Sequence, residues 1–112
     1  MKHCIIFSTA DSQPEADKIA DALLKARAAE SVQTSITEFI ISLKGETGYA
    51  TQILLTIKAE EELSLAVARI IKTNHSSSEM PQITKIPATP ENLDYIRTNC
   101  GAIYERRSRS RT

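Results

Sequence analysis

Two side chains that could bind a transition metal lie close together in one polar segment of this sequence. His75 and Glu79 are separated by three serines. Imidazole nitrogens and carboxylate oxygens are donors that copper and similar ions use, provided that the fold brings them together. His75 and Glu79 are therefore candidate metal ligands. The alternative is an ordinary solvated loop, because polar loops at protein surfaces commonly have this composition.

His3 offers a second way to bind a metal. A free amino terminus with histidine in the third position can hold copper(II) or nickel(II) in a square plane of four nitrogens, a geometry that these ions prefer. Lys2 is bulky, so we expect Met1 to be retained and this spacing to be kept. The first strand is also expected to begin here, and amides bonded in a sheet are not available to a metal. A merely structural histidine is therefore the alternative.

The sequence contains no pattern that predicts catalysis. The motifs of serine hydrolases, zinc proteases, thiol redox centres and phosphate-binding loops are all absent from it. Cys4 and Cys100 are far apart, and we interpret both as small buried apolar residues. His3 and Cys4 are neighbours, but neighbouring residues of a strand point to opposite faces. We therefore predict that the protein is not an enzyme, has no catalytic residues and has no cofactor other than a divalent metal ion such as copper.

The charge of the chain is balanced overall but uneven along its length. Fourteen basic and fourteen acidic residues give the 112 residues a net charge of zero. Four arginines and no acid lie in residues 106–112. We expect one domain, residues 1–104, followed by a flexible basic tail, residues 105–112. The tail has no aromatic side chain to stack on bases, so nucleic acid is not an expected partner.

No apolar run approaches the roughly 18 residues that a membrane span needs. The apolar segment Cys4–Phe7 is also too short for a secretory signal. We therefore expect a cytoplasmic protein that does not bind a membrane.

The elements that must position these residues follow from the apolar pattern. Cys4–Phe7 is continuous and apolar, which indicates a central strand that is covered on both faces. Ser12 and Glu15 form a capping box with Pro14 between them, so a helix should begin there. Its apolar positions and alanines carry the helix to about Ala29.

A long hairpin should follow. Val32–Leu43 and Tyr49–Ile57 alternate as strands, and Lys44–Gly48 is the expected turn. The alternation changes phase near Thr37 and Glu38, which predicts a bulge or a bend. Both strands exceed the usual length of about 5 or 6 residues, and a domain of this size cannot cover their far ends. The projecting part of the hairpin therefore needs a partner.

The remaining elements complete a known arrangement. A second helix begins at Glu60–Glu62 and ends near Asn74, and a short strand follows from Gln82 to Ile86. A last helix should run from Thr89 to Gly101. The order predicts an α+β fold, the ferredoxin-like βαββαβ sandwich with an extra C-terminal helix. One face of its sheet is bare, which favours oligomerisation.

Short segments along these elements resemble a known family. They are Ser8-Thr9-Ala10, Arg27-Ala28-Ala29, Val32, Gly45, Ile57-Lys58, Glu79, Pro81 and Asp94-Tyr95-Ile96. In this order and spacing, over most of residues 4 to 98, the chain resembles the CutA family of divalent-cation tolerance proteins. It departs from the family at Ser31, where a cysteine is usual, and at Ser76–Ser78, where His75 lies one place early.

The resemblance implies a tight homotrimer that binds or responds to divalent metal ions, copper foremost, or binds small ligands in clefts between subunits, without catalysis. The loop of His75 and Glu79 would lie near such a cleft. A trimeric signalling protein of the PII type is the alternative, because it shares this general fold. PII-type proteins have a long mobile loop between their second and third strands, whereas the turn Lys44–Gly48 is short, which favours the first interpretation.

Overall fold

The computed structural model describes residues 2–76 and 81–87, which form an antiparallel sheet and two helices. The elements in chain order are β1 (His3–Ala10), α1 (Gln13–Lys25), β2 (Ser31–Leu43), β3 (Glu46–Glu60), the 3-10 turn Glu61–Leu63, α2 (Ser64–Asn74) and β4 (Ile83–Pro87). The strand order is β2-β3-β1-β4, and every neighbouring pair is antiparallel. The predicted α+β class is confirmed. The expected helix Thr89–Gly101 and the tail 105–112 lie outside the described residues.

Helix α1 begins where the sequence predicts. Ser12 is the N-cap, and its hydroxyl accepts a hydrogen bond from the Glu15 amide at 3.3 Å. The other half of the capping box is displaced by one residue, because the Glu15 carboxylate accepts from the amide of Asp11 at 3.0 Å and not from that of Ser12. The start of α1 is therefore bound to the turn that precedes it.

The predicted end of α1 is wrong by four residues, because the helix ends at Lys25 and not near Ala29. Arg27 has a φ of 55°, and its amide donates to the carbonyl of Leu24. The amide of Ala28 donates to the carbonyl of Leu23. These two bonds form a Schellman motif, which satisfies the last carbonyls of a helix when one residue is left-handed.

The apolar core lies between the helices and one face of the sheet. Its members are Cys4, Ile6, Ala10, Ala16, Ile19, Leu23, Ala28, Ala29, Ile53, Leu55, Ile57, Ala59, Val67 and Ile71. Alternate residues of β3 contribute to it, as expected for a strand with one covered face. Ile5 points to the opposite face of the sheet and is also only 2% exposed. The prediction that β1 is a central strand covered on both faces is confirmed.

Helix α2 begins later than the acidic residues suggested. Glu60 ends β3, and Glu61 and Glu62 lie in the 3-10 turn. The helix ends at Asn74 as predicted, where the side-chain amide of Asn74 donates to the carbonyl of Ile70 at 2.8 Å.

Strands β2 and β3 form a hairpin that extends beyond the rest of the sheet. Their pairing runs without interruption from Ser31 opposite Lys58 to Leu43 opposite Glu46, so the predicted bulge near Thr37 and Glu38 is wrong. The phase of the apolar pattern changes because β1 ends at Ala10, opposite Ile53. Residues 37–43 and 46–52 lie beyond that point and pair only with each other. Their apolar side chains lie on a surface that is separate from the core.

The hairpin closes in a two-residue turn, which is shorter than the expected segment Lys44–Gly48. Lys44 has a φ of 51° and Gly45 a φ of 83°, and β3 begins at the next residue. Positive φ at both central residues defines the type I′ turn, whose twist matches that of the strands it joins.

Gly45→Ala should lower the free energy of unfolding by about 1 to 2 kcal/mol, since a residue with a Cβ is strained in the left-handed region. An added Cβ would meet no atom within 4 Å, so the effect is one of the backbone alone. Lys44→Asn is the control and should be neutral or stabilising, because asparagine tolerates this region. Urea unfolding at one protein concentration measures both variants, and an unchanged Gly45→Ala protein would contradict the turn.

Candidate functional site

His75 follows α2 directly and turns its ring into the protein. Its Nε2 atom lies 3.3 Å from the carbonyl oxygen of Thr9, and its Nδ1 atom lies 3.8 Å from Oε1 of Glu15. The His75 side chain is only 7% exposed. The His75 ring therefore faces the interior of the described fold. Its ring is drawn inward because the end of α2 meets the end of β1 and the start of α1, where oxygen acceptors are present.

Glu15 is the centre of this junction, whereas the sequence pattern predicted only a capping role for this residue. Its Oε2 atom accepts from the Asp11 amide. Its Oε1 atom accepts from the Ser76 amide and, at 3.0 Å, from the Ser76 hydroxyl. The Glu15 side chain is 6% exposed. One buried carboxylate thus joins the turn after β1, the first turn of α1 and the segment after α2.

The surroundings of Glu15 keep it ionised. Burial raises the pKa of its carboxyl, but the hydrogen bonds from the amides of Ser76 and Asp11, the Ser76 hydroxyl and the proximity of His75 lower it by more. The pKa of Glu15 therefore lies below its usual value. A buried carboxylate with two amide donors is stable as an anion because hydrogen bonds to the charged form favour it.

His3 lies at the opposite end of β1. Its Nε2 atom is 3.1 Å from Oε1 of Glu30, whose other oxygen is 3.4 Å from the Lys58 ammonium. Burial raises the pKa of Glu30, but the hydrogen bond with His3 and the charge of Lys58 bring it below its usual value. The strand begins at His3, and the carbonyl of Lys2 accepts from the amide of Glu61. This arrangement favours the structural alternative for His3.

The structure places His3 and His75 far from each other. His75 contacts Thr9, six residues along β1 from His3, which corresponds to about 20 Å in an extended strand. Glu79 lies outside the described residues. Within residues 2–76 and 81–87, no three His, Cys, Asp or Glu side chains are grouped so that they could hold a metal ion.

Cys4 is fully buried, as expected of a small apolar residue. Burial and the nearby charge of Glu61 raise the pKa of its thiol. The thiol is therefore protonated at neutral pH, and a protonated thiol is a poor nucleophile. The second cysteine, Cys100, lies outside the described residues.

The hairpin presents a large apolar surface to solvent. Its exposed members, which we call the hairpin patch, are Ile36, Ile40, Ile41, Leu43 and Tyr49. Near the root of the hairpin, Phe7, Phe39 and Leu54 line a shallow cleft on the sheet face opposite the helices. In the part of the chain that the structure describes, neither helix is long and apolar enough to cross a membrane.

Comparisons with known proteins agree on one family. The sequence model of the CutA1 divalent ion tolerance protein family matches residues 4–98. The periplasmic divalent cation tolerance protein CutA from Archaeoglobus fulgidus is 30% identical, with 86% of this chain and 96% of that chain covered and a TM-score of 0.69. CutA1 from Shewanella sp. SIB1 is 25% identical, with 87% and 94% covered and a TM-score of 0.69.

CutA1 from Oryza sativa, at 22% identity, supports the fold alone, with 85% and 87% covered and a TM-score of 0.72. None of the curated protein sequences compared with this chain is significantly similar to it.

Glu15→Gln should lower the free energy of unfolding at pH 7 by about 1 to 3 kcal/mol, because buried donors lose a charged acceptor. The pKa of Glu15 is lower in the folded state than the roughly 4.3 of an unfolded chain. Glu15 therefore stabilises the fold above the unfolded pKa, and this contribution is lost as the pH falls through the folded pKa. The difference between wild type and variant should be constant from pH 7 to about 5 and shrink below it.

Denaturant unfolding of the metal-free protein at several pH values measures this difference. Asp17→Asn is the matched control, because Asp17 is an exposed acid on the same helix that accepts a hydrogen bond from Gln13. It should change stability by less than about 0.5 kcal/mol. A Glu15→Gln protein whose deficit does not depend on pH would contradict the ionised, buried state of Glu15.

Proposed function

Because this chain belongs to the CutA1 divalent ion tolerance family, we propose that it works as a homotrimer in the response to divalent metal ions, copper foremost, and that it is not an enzyme. The observation that carries the proposal is the family match over residues 4–98, which includes nearly every described element. The absence of catalytic patterns from the full sequence and the protonated, buried thiol of Cys4 support a role without catalysis.

The projecting hairpin supports the assembly. Residues 37–43 and 46–52 extend for about 23 Å beyond β1, at 3.3 Å for each residue of a strand. They carry most of the hairpin patch, in which Ile40 is 65% exposed and Tyr49 68%. Apolar patches of this kind mark interaction sites. We propose that the hairpins cover one another and the sheet faces opposite the helices in three ferredoxin-like sandwiches.

The metal site that we propose lies between subunits. The described part of one chain brings no three donors together, so a complete set of ligands needs Glu79 or a neighbouring subunit in addition to His75. Imidazole and carboxylate donors suit copper(II). His3 is the second candidate, and its contact with Glu30 makes it the weaker one.

A signalling protein of the PII type remains the alternative function, and the hairpin weighs against it. Strands β2 and β3 are joined by Lys44 and Gly45 alone, which leaves no long loop between them. Between β2 and β3 there is therefore no mobile segment that could respond to a small ligand.

Light scattering at micromolar concentration should give the mass of three chains of 12.4 kDa. Ile40→Glu should shift the protein toward monomer, because it places a charge in the hairpin patch. Leu65→Glu is the control, since Leu65 is 72% exposed on α2 and outside the patch. A wild-type monomer, or the same loss of assembly in both variants, would refute the proposed trimer.

Titration with copper(II) should show binding to the wild-type protein that His75→Ala weakens by about tenfold or more. His3→Ala should leave the affinity within about twofold, because Glu30 already holds the ring of His3. Circular dichroism would confirm that both variants are folded. Weak binding that neither variant changes would remove the metal from the proposed function.

A further inference from the structure

Hydrogen bonds connect the root of the hairpin to the segment that follows α2. The side-chain amide of Gln52 donates to Oδ1 of Asp11 at 3.1 Å. The backbone amide of Asp11 donates to Oε2 of Glu15 at 3.0 Å. The other carboxylate oxygen, Oε1, accepts from the amide and the hydroxyl of Ser76. We call Gln52, Asp11, Glu15 and Ser76 the Glu15 network.

Each member of this network depends on the one before it. The Glu15 side chain is 6% exposed, so water cannot readily replace a donor that its carboxylate loses. The amide of Asp11 fixes one carboxylate oxygen, and the other oxygen then faces Ser76. Asp11 is itself exposed, so its hydrogen bonds and not its packing hold it in place. A displacement of Asp11 therefore weakens the binding of Ser76 to Glu15.

Gln52 lies at the point where the hairpin leaves the sheet. Its neighbour Ile53 pairs with Ala10 of β1, whereas Gln52 pairs with Thr37 of β2 beyond the end of β1. From Gln52 to the turn, the hairpin is a ribbon of two strands that carries most of the hairpin patch. A ribbon of two strands is at best marginally stable in water unless something packs against it. The order of this ribbon therefore decides how firmly Gln52 is held.

We propose that the Glu15 network couples the segment after α2 to the assembly of the hairpin. When a neighbouring subunit covers the hairpin patch, the ribbon is ordered, Gln52 holds Asp11, and Ser76 stays bound to Glu15. When the patch is uncovered, the ribbon frays from its root, Gln52 leaves Asp11, and Ser76 separates from Glu15 more often. This inference rests on the proposed trimer, and it adds a route by which assembly regulates a distant segment of the same chain.

The coupling acts in both directions, because a free energy that links two equilibria is reciprocal. A molecule that binds the segment after α2 and keeps Ser76 on Glu15 also favours the ordered hairpin and therefore the assembled protein. A molecule that draws Ser76 away from Glu15 favours the separated chains. Binding at this segment and the oligomeric state of the protein therefore depend on each other.

The polar cluster at the other end of β1 does not have this property. There Glu30 contacts His3 and the ammonium of Lys58. Lys58 pairs with Ile5 of β1 on one side and with Ser31 of β2 on the other, so three strands hold it whether or not the hairpin is covered. The amide of Glu30 donates to the carbonyl of Lys58 at 2.8 Å. This bond is therefore an internal reference that does not respond to the hairpin.

Hydrogen exchange of the Ser76 amide, followed by NMR on the full chain, measures how often Ser76 separates from Glu15. Gln52→Met removes the donor but keeps the length of the side chain. It should speed up this exchange by about two- to tenfold, the effect of one lost hydrogen bond. Thr51→Val is the matched control and should change nothing, because Thr51 is exposed and points to the other face of β3. An unchanged amide of Glu30 shows that the sheet of each variant is intact.

A pair of variants at Asp11 tests the middle of the network. Asp11→Ala removes the oxygen that accepts from Gln52 and should speed up the exchange of the Ser76 amide as much as Gln52→Met does. Asp11→Asn keeps an acceptor oxygen in the same place and should restore slow exchange. Equal exchange in the two variants overturns the role of Asp11, because only the acceptor distinguishes them in the network.

Ile40→Glu links the network to assembly, because it places a charge in the hairpin patch and separates the proposed trimer. It should speed up exchange at Ser76 and leave the amide of Glu30 unchanged. Adding Gln52→Met to Ile40→Glu should have little further effect, since Gln52 has already left Asp11 in the frayed ribbon. Light scattering on the same samples gives their oligomeric state.

The outcomes separate this inference from the proposed function. Unchanged exchange at Ser76 in Gln52→Met overturns the coupling, whatever the oligomeric state. Normal exchange at Ser76 in a dissociated Ile40→Glu protein, or effects of Ile40→Glu and Gln52→Met that multiply in full, overturns the link to assembly and leaves the trimer. A monomeric wild-type protein refutes the proposed trimer and, with it, regulation by assembly.

Discussion

The buried carboxylate of Glu15 constrains the end of the molecule at which β1 ends and α1 begins. A carboxylate is costly to remove from water unless donors surround it. Glu15 obtains its donors from Asp11 and Ser76, two segments that are far apart in sequence. The turn after β1 and the segment after α2 must therefore meet over the first turn of α1. Asp11 in turn accepts a hydrogen bond from Gln52, the first residue of β3 beyond the pairing with β1, so the same junction reaches the root of the hairpin.

The two apolar surfaces of the protein are separated by the point at which β1 ends. Where β3 pairs with β1, the side chains of β3 that face the helices are covered by α1 and α2. Level with Ala10, Ile36 is 75% exposed although it lies directly opposite the buried Ile53. The hairpin continues the sheet without continuing the core. The junction of Glu15 and His75 lies at this boundary, next to the root of the hairpin.

Features that depend on local sequence were predictable, and features that depend on tertiary contacts were not. The start of α1 at Ser12 and the end of α2 at Asn74 follow from capping residues, and the hairpin follows from alternation. The end of α1 was missed because alanines favour a helix and Arg27, not a glycine, takes the left-handed position. The roles of Glu15 and the inward turn of His75 were missed because only the fold brings α1 and the end of α2 together.

The hairpin also affects whether a newly made chain pairs correctly or aggregates. Among the described strands, β2 lies at an edge of the sheet, and one side of its 13 residues faces no strand of residues 2–76 and 81–87. Edges of this length, with exposed isoleucines, are templates for pairing with any other extended chain. In the proposed trimer, pairing between subunits and disordered aggregation would therefore compete for the same groups. The rate at which chains meet one another would then decide the yield of native protein and would link synthesis to assembly.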